Sequence, residues 1–165
     1  MDQRQTLRAE TIVNEWAAET IEEILREYGE EPHARKISQL IVANRPFKTT
    51  DELATIIARA SGKWQKKNPA TRTFQALRIA VNNELGLLTA ALPLWIQLLK
   101  PGGRLGIISF HSLEDRIVKN YFAEHGGSRY DALFSVPFKN PITASEPELV
   151  SNPRSRSAKL RVAAK

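Results

Sequence analysis

Lys100-Pro101-Gly102-Gly103 is the segment that most narrows the folds open to this chain, because a proline followed by two glycines ends any helix before it and turns the backbone sharply. Directly after it, Leu105, Gly106, Ile107, Ile108, Ser109 and Phe110 form a short apolar run. A run of this length with turn residues on its near side predicts a buried strand of the parallel kind. Beyond it, Ser112 and Asp115 stand at capping-box spacing and predict a helix from Leu113 to about Phe122, with Ile117, Val118, Tyr121 and Phe122 inward. On the near side, Phe74, Leu77, Val81, Leu85, Leu88, Leu92, Trp95 and Leu99 make one stripe of a long helix that starts at Thr71 or Thr73 and that Pro93 should kink or split. Helix, tight turn, buried strand and helix in succession imply an α/β fold built on a doubly wound sheet. Leu133 to Val136 and Lys159 to Ala164 are two further strand candidates.

The first part of the chain carries a different pattern. Ile12 and Trp16, then Ile21, Ile24, Leu25 and Tyr28, recur at helical spacing, and Gly29 offers a left-handed stop. A third helix follows from about His33 to Asn44, blocked by Pro46. Thr49 and Glu52 fit a capping box for a fourth, Asp51 to Ala60, with Leu53, Ile56 and Ile57 inward. Ser61 to Pro69 is polar and basic, which reads as a connector. The expected organisation is therefore an all-helical domain over 1–68 and an α/β domain over 69–165.

A chain of 165 residues with 42% hydrophobic content can bury a core without staples, and the absence of cysteine excludes disulfides and thiolate metal sites. No stretch approaches the roughly 18 apolar residues of a spanning helix, and Met1 to Gln5 lacks the order of a signal peptide, so a cytoplasmic location and no membrane partner are the expectation. Charge is unevenly spread: residues 1–31 hold three arginines against nine carboxylates, whereas the remainder is basic enough to bring the chain to +6. A polyanionic partner suits everything after the first helices, although a merely basic soluble protein has the same balance.

Ligands of open α/β sheets bind outside the carboxyl ends of strands, which directs attention to Ser109, Phe110, His111 and Ser112. His111 between two hydroxyls could hold a substrate or move a proton; a helix cap and a structural hydrogen bond account for the same residues. Arg154 and Arg156, interleaved with serines, could grip successive phosphates or form a solvated tail. Arg72 sits at a helix start whose threonines are explained by capping. The three histidines are too scattered for a metal site, no serine has a nucleophile elbow, and no Gly-rich loop follows a strand to cradle a nucleotide.

Several segments, taken in order, resemble the RsmH (MraW) family of S-adenosylmethionine-dependent methyltransferases. They are Asn68-Pro-Ala-Thr-Arg-Thr-Phe-Gln-Ala-Leu-Arg-Ile-Ala-Val-Asn82 with Glu84-Leu85, Pro101-Gly-Gly-Arg-Leu105, Ile108-Ser-Phe-His-Ser-Leu-Glu-Asp-Arg-Ile-Val-Lys119, and Asn152-Pro-Arg-Ser-Arg-Ser-Ala-Lys-Leu-Arg161. The Arg26-Glu27-Tyr28-Gly29-Glu30-Glu31 turn is similar to the family's inserted helical domain. The resemblance implies methylation of the exocyclic N4 amine of a cytidine in small-subunit 16S ribosomal RNA. It also implies that this chain corresponds to a carboxyl-terminal half, with the helical insert plus the last three strands of a class I (Rossmann-like) methyltransferase sheet. The family's Gly-rich donor site would lie upstream, Met1-Asp2 matching an internal pair, so no cofactor-binding residue and no metal ligand is expected here and S-adenosylmethionine should not bind this chain tightly.

Within that frame, position assigns Asn82, His111 and Ser112 to the neighbourhood of the base, and Asp115 to orienting Arg116 or to capping. Arg72, Arg154, Arg156 and Lys159 are the expected phosphate contacts, with Lys63 to Lys67 as an outer patch. The partners implied are small-subunit ribosomal RNA and either a chain carrying the remaining half or a second copy paired through an open strand edge. A non-catalytic RNA-binding protein and a truncated remnant are the alternatives.

Overall fold

The computed structural model describes residues 6–61 and 68–165, and the chain divides into two compact units, Met1–Glu84 and Leu85–Lys165. Met1-Asp2 and Lys63 to Lys67 lie outside the described residues. The first unit is built from α1 (Ala9–Glu15), α2 (Ala18–Glu27), α3 (Ala34–Ala43), α4 (Thr50–Ser61) and α5 (Thr71–Asn82). Apolar residues three and four apart give each helix one buried stripe, and Ile12, Leu25, Ile37, Ile41, Ile57 and Leu77 meet in a common core. Because α5 contributes Ala76 and Leu77 to that core, the compact units part after Glu84 rather than near Asn68.

Polar contacts fix the helix ends. Thr49 Oγ1 accepts from the Glu52 amide at 3.2 Å, and the Glu52 carboxylate accepts from the amides of Lys48 at 2.7 Å and Thr49 at 3.1 Å, which is the expected capping box. Those two amides hold the Glu52 carboxyl below its ordinary range. The loop after α3 returns to α1: Asn14 donates to the Phe47 carbonyl at 2.9 Å and accepts from the Phe47 amide at 2.8 Å. Arg45 Nε donates to the Val13 carbonyl at 2.6 Å and Nη2 to that of Trp16 at 2.5 Å, so two carbonyls at the end of α1 are satisfied by one guanidinium. The Arg45–Pro46 bond in this loop is cis.

The turn after α2 differs from expectation. The left-handed residue is Glu30, at φ 46°, and Gly29 serves another purpose. A Cβ at Gly29 would lie 2.7 Å from the Leu25 carbonyl oxygen and 2.8 Å from that of Arg72, so glycine is needed where α2 meets the first turn of α5.

The second unit contains α6 (Glu84–Leu98), β1 (Arg104–Ser109), α7 (Ser112–His125), β2 (Ile142–Thr143), α8 (Glu146–Ser151), a 3-10 turn (Pro153–Ser157) and β3 (Lys159–Ala164). The stripe read as one long helix breaks at Asn83, which is left-handed at φ 49°, while Pro93 is accommodated inside α6. The strand order is β1-β3-β2, and both pairings are antiparallel. This corrects both the parallel, doubly wound sheet and the buried strand: within this chain only Ser109 of β1 is buried, and a short apolar run carries no information on strand direction. The chain is mixed α/β, mostly helical, with a small antiparallel sheet. Leu133 to Val136 forms only isolated bridges, Gly126 to Phe134 and Ser135 to Ala164, while Ile142–Thr143 supplies the third strand.

Side-chain alternation gives the sheet two unlike faces. Leu105, Ile107 and Ala163 pack with Leu92 and Ile96 of α6 and Val118 and Phe122 of α7. Phe134 closes this core, its ring edge-on to Phe122 at 5.3 Å. The other face carries Gly106, Ile108, Leu160 and Val162, and Ile108 is 57% exposed. The outer edge of β1 pairs with no strand among the described residues, and an open groove of about 400 Å³ runs along it between Trp95, Leu98 and Ile108. No single helix among the described residues is long and apolar enough to cross a membrane.

Replacing Gly29 by Ala is expected to lower the stability of the first unit by about 1–3 kcal/mol, since both opposing atoms are backbone and cannot turn aside. Urea unfolding followed by far-UV circular dichroism checks this, and an unchanged midpoint would contradict the close approach.

Candidate functional site

The β1–β3 register sets Ser109 opposite Lys159. Because the strands are antiparallel, the segment leaving β1 and the segment entering β3 emerge at the same end of the sheet. Phe110, His111 and Ser112 therefore share that end with the 3-10 turn that holds Arg154 and Arg156. This is the constellation the sequence singled out within the second unit.

At the switch from β1 to α7, His111 is the N-cap, one residue before the Ser112 of the expected capping box. Its Nδ1 accepts from the Glu114 amide at 3.3 Å, and Glu114 Oε2 accepts from the amides of Phe110 at 2.9 Å and His111 at 3.3 Å. A ring that accepts through Nδ1 carries its proton on Nε2 when neutral, so His111 can donate a hydrogen bond there but has no second lone pair for a base. Nε2 lies 3.4 Å from Glu114 Oε1. Ser112 is exposed as the first residue of α7.

Asp115 neither caps α7 nor orients Arg116. Its carboxylate, on a nearly buried residue, accepts from Arg161 Nε at 2.7 Å, from Arg161 Nη2 at 3.3 Å and from Lys159 Nζ at 3.1 Å. Burial alone would raise the Asp115 carboxyl, but hydrogen bonds from Arg161 and Lys159 and the charges of both cations outweigh it and hold the group below its ordinary range. Lys159, expected as a phosphate contact, thus turns its ammonium to Asp115. A strand with two cations at alternate positions on its covered face needs such a carboxylate, and this was the available signal for a pairing that sequence reasoning missed.

The twin arginines stand differently. Ser155 between them is buried, its Oγ donating to the Asn152 carbonyl at 2.8 Å while its amide bonds the same oxygen at 3.0 Å. That serine anchors the turn, and Arg154 and Arg156 on either side are exposed.

The remaining candidates belong to the first unit. Asn82, at the end of α5, donates through Nδ2 to Glu84 Oε1 at 3.1 Å, and Arg78 Nε lies 2.9 Å from the same oxygen. Arg72 is exposed in the first turn of α5. Asn68 closes that turn: Oδ1 accepts from the Ala70 amide at 2.9 Å, and its carbonyl accepts from the Thr71 amide at 3.0 Å and hydroxyl at 2.8 Å. Thr71 is thereby accounted for as a structural group.

At the strand-to-helix switch of β1 and α7, where a ligand would meet free amides, His111 and Glu114 already engage the amides of Phe110, His111 and Glu114.

With this geometry in hand, comparison with known proteins is informative. The model of the MraW methylase family matches residues 1–165, the whole chain. Among curated relatives, a protein of Synechocystis named ribosomal RNA small subunit methyltransferase H is 52% identical over 171 residues, covering 100% of this chain and 53% of the relative. Proteins of the same name from Acaryochloris marina and Thermomicrobium roseum are 49% and 46% identical, covering 99% and 94% of this chain and 54% and 52% of the relatives. The chain spans about half the length of the curated relatives it matches.

Changing Asp115 to Asn leaves the mostly buried Arg161 guanidinium without its counter-charge and is expected to cost about 3–5 kcal/mol at neutral pH. A carboxyl with a lowered folded pKa stabilises above its unfolded value, and the contribution is lost as pH falls through the folded value. The gap between wild type and Asp115→Asn in chemical unfolding should therefore close in acid, whereas a gap independent of pH would contradict the ion-pair account.

Proposed function

The chain belongs to the MraW methylase family, and from that premise we propose that it is the RNA-facing, closing portion of an S-adenosylmethionine-dependent methyltransferase that acts on the exocyclic N4 amine of a cytidine in small-subunit 16S ribosomal RNA. The whole-chain family match carries this reading. In the same reading the helical first unit is the inserted substrate-recognition module, and the three strands are the closing strands of a Rossmann-like sheet.

The amine of cytosine is a weak nucleophile because its lone pair is delocalised into the ring. It needs orientation and acceptors for its hydrogens more than it needs a strong base. Among this chain's residues, the Ser112 hydroxyl and the Asn82 carboxamide oxygen supply acceptors by type, and His111 supplies a donor suited to a base carbonyl. Arg154 and Arg156, with Arg72 on the first unit, hold phosphates, and the target nucleotide leaves its stack to reach the donor. The methyl group itself comes from S-adenosylmethionine held by the remaining half of the enzyme.

The open edge of β1 supports the need for that remaining half. It is apolar, lacks proline and interior lysine, and runs beside Trp95 and Leu98, a surface that water covers poorly. We assign this edge to a strand of the donor-binding half, whether that half belongs to the same longer protein or to a separate chain.

Two experiments test the reading. Mixing this chain with the separately produced amino-terminal half of a relative should transfer labelled methyl groups from S-adenosylmethionine to 16S ribosomal RNA, with neither half active alone. Failure of the mixed halves to form a complex, or a complex that leaves the RNA unlabelled, would contradict the proposal. Placing a charge on the groove, as in Ile108→Lys, should weaken association with the other half by about tenfold or more, since a buried charge there has no partner. Equal affinity in sedimentation would remove the edge from the interface, and clean self-association of this chain that excludes the other half would assign the edge to a second copy.

A further inference from the structure

Four cations lie between positions 154 and 161, and the structure sorts them into two pairs. Arg154 and Arg156 are exposed, and among the described residues neither has an ion-pair partner. Lys159 and Arg161 converge on one carboxylate, Asp115, at 3.1 and 2.7 Å. Asp115 stands in the first turn of α7, four residues after the His111 cap, and one residue, Ala158, separates the arginine turn from β3. A single buried anion thereby fastens the amino end of α7 to the strand that carries the turn.

We infer that Asp115 is a positioning residue for phosphate recognition, which fixes the arginine turn against the His111 switch and keeps Lys159 and Arg161 turned away from the nucleic acid. This rests on the reading of the chain as RNA-facing. The physical reason is one of economy in degrees of freedom. Arginines on a short 3-10 turn define a phosphate spacing only if the strand after the turn is held. An inward anion with two strand cations holds it more firmly than the backbone ladder at a strand terminus, where pairs fray. The same pairing sets one carboxylate against both cations, Arg161 nearly buried and Lys159 43% exposed with its ammonium held at Asp115, so the grip depends on geometry more than on bulk charge.

The number of phosphates engaged is readable from the salt dependence of binding. On single-stranded RNA each lost phosphate contact lowers the slope of log K against log salt by about 0.7. Binding is measured by fluorescence anisotropy with an end-labelled RNA hairpin bearing an unpaired cytidine, and with poly(U) of equal length, over a series of KCl concentrations. Arg154→Ala and Arg156→Ala should each flatten the hairpin slope by about 0.7 for a phosphate in the unpaired loop and about 0.9 for one in the stem, and Lys159→Met should leave it unchanged. Asp115→Asn, which frees two cations, should steepen the poly(U) slope and erode the preference for the hairpin, and Asp115→Glu should restore both in part.

A Lys159→Met slope reduced as far as that of an arginine variant would overturn the inference, as would a folded Asp115→Asn protein with wild-type slope and preference. If Asp115→Asn does not fold, the lysine variant decides alone. If the arginine variants leave the slope untouched while the wild type binds, the RNA-facing reading of this turn fails, and the inference falls with it.

Discussion

The antiparallel return of β3 alongside β1 holds the second unit together. Six residues on each strand are in register, from Arg104 opposite Ala164 to Ser109 opposite Lys159. The ladder continues past the strand ends, where the Gly102 amide donates to the Lys165 carbonyl at 2.6 Å and the Lys165 amide to that of Gly103 at 3.0 Å. The Pro-Gly-Gly turn is thus both the stop after α6 and the clamp on the chain's last residue; Gly102 supplies the positive φ of 78° it requires. β3 is also the sole strand that β2 pairs with among the described residues, so the sheet has no other organising element.

From that ladder follows the placement of every chemically interesting group in the unit. Antiparallel pairing brings the exit of β1 and the entrance of β3 to one end, and so unites His111 and Ser112 with the arginine turn across more than forty residues of sequence. Alternation along the strands turns Lys159 and Arg161 to the covered face, where Asp115 meets them, and leaves Ile108 on the bare one. The outer edge of β1 pairs with no strand among the described residues, and Leu94 and Leu98 of α6 are exposed. In a chain that spans about half of its relatives' length, such surfaces are where the remainder of a sheet would continue.

Much of this was legible in the residues, and the departures have physical causes. Helical spacing located α2, α3 and α4, and the Thr49–Glu52 capping box was read correctly because it is a local bond between residues three apart. The strand β1 was visible as an apolar run and β3 as a shorter candidate, but their direction was not, since pairing partners are a tertiary choice. The break between α5 and α6 fell at Asn83 and not at Pro93, because asparagine tolerates the left-handed conformation while a proline can be absorbed within a helix. Gly29 was noted for the wrong reason, its close approach to Arg72 being invisible without the packing of α5. In the candidate site, His111 and the twin arginines were singled out from position, whereas the Asp115 pairing spans 44 and 46 residues and its trace in the sequence is only the alternate placing of Lys159 and Arg161. The arginines interleaved with serines were read as a grip on successive phosphates or a solvated tail; Ser155 is the inward anchor of their turn.

The central claim is that β1 is an interior strand whose outer neighbour is carried by the donor-binding half of the enzyme. Amide hydrogen exchange at Leu105 to Ser109, measured with and without the amino-terminal half of a relative, tests it most directly. The expected result is that those β1 amides that do not bond to β3 exchange rapidly in this chain alone and become strongly protected in the mixture. Amides already slow in the isolated chain would show that the outer side of β1 is covered without that half, and amides unchanged on forming a complex would show that β1 is a true edge; either result contradicts the account.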